Sequence, residues 1–149
     1  MYFMLKDIVN RKLVTTDPSA KICDVAQLMA RFDVGCVLVV ENKKIKGLIT
    51  DRDIVVRCLA KNVSLDECPV KSVMTEAPVT VRDTDGIFDC IETMRGAQVR
   101  RIPVVDRSGE VVGILSFGDI LAVLSKELAE LTKGTVPQVS SPEFEREAA

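Results

Sequence analysis

Shifted along itself by 65 residues, the chain meets its own pattern: Val14-Thr15 falls on Val79-Thr80, Val34 on Val99, and Val39-Val40-Glu41 on Val104-Val105-Asp106. A repeat of this period constrains the fold more tightly than composition does, because one supersecondary unit has to serve twice. Ile22, Val25, Ala26 and Met29 fall on Ile87, Cys90, Ile91 and Met94. Each set is spaced i, i+3, i+4, i+7, the apolar face of an amphipathic helix. The turn Asn42-Lys43-Lys44 answers to Arg107-Ser108-Gly109, one residue longer in the second copy, so that the offset becomes 66 beyond it. Ile45 to Thr50 then matches Val111 to Ser116, with Gly47 against Gly113. Two apolar runs around a short polar turn predict a β-hairpin. Asp53-Ile54 and Asp119-Ile120 open a second helix in each copy. The prediction is an α/β (α+β) chain with strand, helix, strand, strand, helix over about residues 13–60 and again over 78–131.

A short apolar-polar segment precedes each copy, Met4 to Val9 and Pro69 to Met74, again related by 65, and 61–68 is a polar connection. After Lys133 the sequence turns Ser-, Pro- and Glu-rich without periodicity. The expected organisation is therefore a first repeat over 4–61, a second over 69–132 and a flexible tail over 133–149. A length of 149 residues suits one domain of ordinary size, or two half-domains sharing a single core.

Composition removes several function classes. A net charge of −2 and the absence of a Lys/Arg run supply no field for nucleic acid. The apolar start Met1 to Leu5 is broken by Lys6 and Asp7, and no 18-residue apolar run occurs, so a soluble cytoplasmic protein without membrane contact is expected. No histidine is present, which excludes Ser-His-Asp and Cys-His catalysis. With no P-loop and no metal-carboxylate cluster either, an enzyme is not expected, and no cofactor is required. The five cysteines Cys23, Cys36, Cys58, Cys68 and Cys90 contain no C-x-x-C pair, which favours buried reduced thiols over a metal site.

The chemistry lies at the end of the third strand of each copy: Gly47-Leu48-Ile49-Thr50-Asp51-Arg52-Asp53 and Gly113-Ile114-Leu115-Ser116-Phe117-Gly118-Asp119. One reading is a helix start, with Thr50 or Ser116 as N-cap and the aspartate favoured by the helix dipole. The other is a nucleotide site. The aspartate accepts hydrogen bonds from vicinal ribose hydroxyls, the Thr or Ser hydroxyl meets a sugar or phosphate oxygen, and helix N–H groups favour a phosphate. The two readings are compatible, since a cap in the empty state can be recruited on binding.

The doubled G-h-h-T/S-x-x-D arrangement and the order of elements resemble a tandem pair of CBS domains, a Bateman module, over about residues 4–131. Val34 to Val40 with Gly47 to Val55, and Gln98 to Asp106, are similar to small stand-alone bacterial CBS-pair proteins. The resemblance implies two β-α-β-β-α repeats related by a pseudo-twofold, with two clefts that each take an adenosine derivative. It implies Asp53 and Asp119 as ribose acids, Thr50 and Ser116 as their hydroxyl partners, and basic residues near the start of the second strand as phosphate contacts. AMP or ATP is the expected regulatory ligand, with ADP, S-adenosylmethionine and NAD sharing the same ribose. A homodimer built through helices is also implied.

The copies differ. Arg100-Arg101 stands where the first copy has Gly35-Cys36, so the Ser116/Asp119 cleft is expected to hold both guanidiniums, with Lys12 beside it, and to prefer the more charged nucleotide; the alternative for the arginines is solvated surface. Phe117 replaces Asp51 and either packs over a ligand or closes the cleft. Leu121, Leu124, Leu128 and Leu131 form a stripe that is either buried in the monomer or part of a dimer contact. The function expected is ligand sensing that signals to an effector protein. The alternative is a cysteine-based redox sensor or interaction scaffold whose nucleotide clefts are unused.

Overall fold

The computed structural model describes residues 4–135. The first copy consists of β1 (Thr15–Thr16), α1 (Ile22–Phe32), β2 (Cys36–Glu41), β3 (Lys44–Thr50) and α2 (Asp51–Asp53). After β4 (Thr75–Glu76), the second consists of β5 (Val81–Arg82), α3 (Ile87–Ala97), β6 (Arg101–Val105), β7 (Val111–Ser116) and α4 (Phe117–Thr135). The strands form two sheets, ordered β1-β2-β3-β4 and β5-β6-β7. In each, a parallel pair leads into an antiparallel hairpin.

Matching local chemistry ends matching elements. Helix α1 buries Ile22, Val25 and Met29 and stops at Asp33 in the left-handed conformation, φ 52°; α3 buries Ile87, Cys90 and Met94 and stops at Gln98, φ 55°. The β2–β3 hairpin turns on Asn42 and Lys43, both left-handed at φ 49° and 62°, as the twist of a two-residue turn requires. The longer β6–β7 turn is held by the Asp106 carboxylate, which accepts from the N–H and hydroxyl of Ser108 and the N–H of Glu110. The helical stretch after β3 differs from its counterpart: α2 widens into a π-helical turn, Ile54–Cys58, and tightens into a 3-10 turn, Leu59–Lys61, whereas α4 is one α-helix. Helix α4 reaches Thr135, beyond the expected start of the tail at 133, and the rest of that tail lies outside the described residues.

Two cores form rather than one shared core. Ile22, Val25, Val37, Val39, Ile49, Ile54 and Cys58 make the first, and Val81, Ile87, Cys90, Ile102, Val104, Leu115 and Ile120 the second. Each is completed by the segment that precedes the other repeat. Leu5, fully buried, packs in the second core, while Val70 and Val73 pack in the first. The backbone repeats this exchange bond for bond at the sequence offset. Leu5 N donates to Asp85 O at 3.0 Å and Val70 N to Ala20 O at 2.8 Å; Lys6 N donates to Asp83 O at 2.9 Å and Lys71 N to Pro18 O at 3.2 Å.

The repeated glycines explain themselves at the same crossing. Gly47 lies under Met74 and the Thr75 carbonyl, and Gly113 under Val9 and the Asn10 carbonyl, so a Cβ on either would collide with the exchanged segment. The hairpin tips also meet, with Val111 N donating to Lys43 O at 3.1 Å and Lys43 Nζ 3.6 Å from Glu110 Oε2.

Candidate functional site

The two strand ends carry the same pair of interlocked side chains. Thr50 N and Oγ1 donate to Asp53 Oδ2 at 2.9 and 2.8 Å, and Asp53 N donates back to Thr50 Oγ1 at 3.2 Å. Ser116 N and Oγ donate to Asp119 Oδ2 at 2.8 and 2.7 Å, and Asp119 N returns at 3.1 Å. The capping-box reading of the sequence is therefore realised in both copies. Each box also stands at the wall of a cleft.

The Asp119 cleft, about 270 Å³, is lined by Ser116 and Asp119 from one repeat and by Lys12, Leu13, Val14 and the 33–36 turn from the other. The Asp53 cleft, about 640 Å³, is lined by Thr50 and Asp53 and, across from them, by Ala77, Pro78, Val79 and residues 97–101. Lys12, Leu13 and Val14 correspond to Ala77, Pro78 and Val79 at the repeat offset, and Asp33 to Cys36 correspond to Gln98 to Arg101. Each cleft thus joins the hydroxyl-acid box of one repeat to the first-strand entry and second-strand start of the other. This reciprocity is the pseudo-twofold expressed at the site.

It also corrects the expected placement of the arginines. Arg100 lines the Asp53 cleft and not the Asp119 cleft; Arg101 lines both. The start of β6 crosses to the box of the first repeat, while β6 itself pairs with β7, so that Arg101 stands opposite Ser116. Arg100 lies in the bend before β6 and Arg101 opens the strand, so both reach the Asp53 cleft while only Arg101 also reaches the Asp119 cleft. The Asp53 cleft gains Arg52 as well, and an apolar wall from Pro78, Val79, Ala97 and Val99. Lys12 lies in the Asp119 cleft, as the resemblance implied. Phe117 faces neither cleft: it lines an outer apolar groove with Ile91, Met94 and Val99.

Sequence reasoning missed Arg52 in the Asp53 cleft and Arg57 beside the Asp53 carboxylate. Arg57 Nε lies 3.4 Å from Asp53 Oδ1, and Arg57 Nη1 donates to the Val73 carbonyl at 2.7 Å. The repeat held a signal for it, because the position matched by the offset in the second copy is Val123.

All five cysteines are free thiols. Burial pushes the Cys36 thiol, in the wall of the Asp119 cleft, up to about 11, although Arg101 pulls the other way. Burial also pushes Cys90 up to about 11 and raises Cys23 and Cys58. Among the described residues no three of His, Cys, Asp or Glu are grouped to hold a metal ion, and no helix is long and apolar enough to cross a membrane.

Comparison with known proteins adds relatives to this geometry. The CBS-domain YhcV protein of Bacillus subtilis is 34% identical over 116 residues, 78% of this chain and 81% of that protein. An uncharacterized protein of Methanopyrus kandleri is 28% identical over 78% of this chain but only 60% of its own length. Among solved structures, a CBS domain protein from Pyrobaculum aerophilum complexed with AMP superposes with a TM-score of 0.74 at 30% identity, covering 83% of this chain and 99% of that one. The CBS domain family model matches twice, over residues 5–59 and 70–126. Two matched repeats, two sheets and reciprocal clefts agree, and the chain belongs to the CBS-domain family as a tandem pair.

Proposed function

We propose that the protein is a regulatory sensor that binds adenosine-containing nucleotides in the clefts between its repeats and signals their presence to an effector protein. The observation that carries the proposal is the reciprocal cleft: a carboxylate held by a Thr or Ser hydroxyl faces, across the cavity, a wall supplied by the other repeat. A ligand bridging the two walls touches both repeats, so its binding energy biases their arrangement. The AMP complex of the Pyrobaculum relative supports the choice of ligand class.

The Asp53 cleft is the site for the phosphorylated ligand. Arg52, Arg100 and Arg101 offer guanidiniums to phosphate oxygens, and Pro78, Val79, Ala97 and Val99 offer an apolar face to adenine. The Asp119 cleft, with Lys12 and Arg101, takes a second adenosine derivative. AMP or ATP is the leading ligand, with ADP, S-adenosylmethionine and NAD as the alternatives sharing its ribose. The cytoplasm, where these ligands are found, is the proposed location.

The cysteine-based alternative is disfavoured by the raised thiols, since the thiolate is the reactive form and is scarce at neutral pH in Cys23, Cys36, Cys58 and Cys90. The protein acts as a homodimer. Phe88, Leu121 and Leu128 stand 71%, 48% and 64% exposed on α3 and α4, so most of the predicted leucine stripe is not consumed within the monomer.

The test is calorimetric titration with AMP, ATP, S-adenosylmethionine and NAD of the parent, Asp53→Ala and Asp119→Ala. Loss of charge-assisted hydrogen bonds weakens binding about tenfold to a hundredfold in the variant whose cleft is used. No binding by the parent, or parent-like binding by both variants, would overturn the proposal and leave the boxes as helix caps.

A further inference from the structure

The two ribose acids differ in one respect. In both, Oδ2 is filled by the N–H and hydroxyl of its own box. A carboxylate oxygen accepts about two hydrogen bonds, so what each acid can still offer a sugar lies on Oδ1. At Asp53 that oxygen faces Arg57 Nε at 3.4 Å, and the guanidinium is fixed there by its bond to the Val73 carbonyl. Val73 is itself nearly buried in the first core, so the arginine is anchored to packed backbone. At Asp119 the matched position is Val123, which brings no charge and no donor. A vicinal diol presents two O–H donors. Asp119 Oδ1 has room for both, whereas Asp53 Oδ1 shares its acceptor directions with Arg57.

Resting on the nucleotide-binding reading above, we infer that Arg57 sets the sugar specificity of the Asp53 cleft: its ion pair with Oδ1 crowds that oxygen and competes for its charge, leaving the cleft able to reward only one of the two ribose hydroxyls. The Asp119 cleft rewards both. The two clefts thus read the ribose with different stringency, the Asp119 cleft demanding an intact diol and the Asp53 cleft tolerating its loss. The residue is a positioning residue in this account, acting through Asp53 and not on the ligand itself.

The measurement is a ratio. On an Asp119→Ala background, which isolates the Asp53 cleft, AMP and 2′-deoxy-AMP are titrated calorimetrically into protein with Arg57 and with Arg57→Met. With Arg57 present the two ligands bind within about threefold of each other. With Arg57→Met, Oδ1 is released to the diol and AMP is favoured by about tenfold or more, the discrimination expected of one charge-assisted hydrogen bond. Should Arg57→Met fail to fold, Arg57→Gln, shorter and uncharged, serves the same comparison. An unchanged ratio overturns the inference, as does parallel weakening of both ligands, which is what a purely structural role for Arg57 produces. If AMP binds the parent but not the Asp119→Ala protein, the Asp53 cleft is not the AMP site and this inference alone fails. If AMP does not bind the parent, the nucleotide reading fails beneath it.

Discussion

Thr50 Oγ1 donates to Asp53 Oδ2 at 2.8 Å while accepting the Asp53 N–H at 3.2 Å, so the group that starts the helix is also the group proposed to meet the ligand. On that proposal, stability and binding draw on the same atoms. Removing the hydroxyl leaves the Asp53 N–H without its cap, and Ser116 stands in the same relation to Asp119.

Thr50→Ala and Ser116→Ala are each expected to lower the unfolding free energy by about 1 kcal/mol, the usual worth of an N-cap. Urea unfolding checks this. Parent-like midpoints in both variants would remove the boxes from the stability account.

Alanine at Gly113 is expected to destabilise by about 1–3 kcal/mol through overpacking. Its Cβ would lie 2.8 Å from the Asn10 carbonyl and against Val9, and backbone cannot swing aside as a side chain can. Gly47→Ala should cost less, because its closest neighbour is the flexible Met74 and the Thr75 carbonyl is 3.0 Å away. Thermal unfolding of the two variants gives the order, and Gly47→Ala as the worse variant would contradict it.

Leu5 is fully buried in the second core although it lies in the segment before the first repeat. Leu5→Ala should cost about 2–5 kcal/mol, the range for emptying a packed leucine site. Hydrogen exchange should quicken in α3 and β6 before α1 and β2. Loss confined to the first repeat would refute the exchange of segments.

Alkaline pH should weaken the fold. Cys90 is fully buried and its thiol is pushed up to about 11 from an ordinary 9.0. Between these values the unfolded chain has lost the proton that the folded chain still holds, so stability falls as pH rises, approaching about 1.4 kcal/mol per pH unit for this thiol. Below pH 8 the thiol contributes no pH dependence. Denaturant titrations from pH 7.5 to 10.5 should show a shallower alkaline fall in Cys90→Ala than in the parent, and equal slopes would exclude the thiol as the cause.

Much of this was legible from residues alone, because the informative signals were local and written twice. The i, i+3, i+4, i+7 stripes of Ile22 and Ile87 became the buried faces of α1 and α3, and the hydroxyl-acid pairs became boxes at cleft walls. What was not legible is non-local. Leu5 and Val70 are apolar at equivalent positions whichever core they enter, so nothing in their own neighbourhood announces the exchange. Arg100 was assigned to the wrong cleft, and Arg101 to only one of the two it lines, for the same reason: sequence proximity to Ser116 and Asp119 suggested one cavity, while residues 97–101 are presented to the box of the other repeat. The widening of the first-copy helix at Ile54–Cys58 had no counterpart in its periodicity.

The exchanged segments also set an order of events on the ribosome. Leu5 is made well before Leu115 and Ile120, which share its core. Its segment must therefore wait until the last strand and helix of the second repeat have been made. Closing so long a loop is slow compared with local helix formation. The first core can close once Val70 and Val73 emerge, but the second closes only when Leu5 meets a strand and helix made far later. The second core is accordingly the later of the two to close, whatever the speed of its parts.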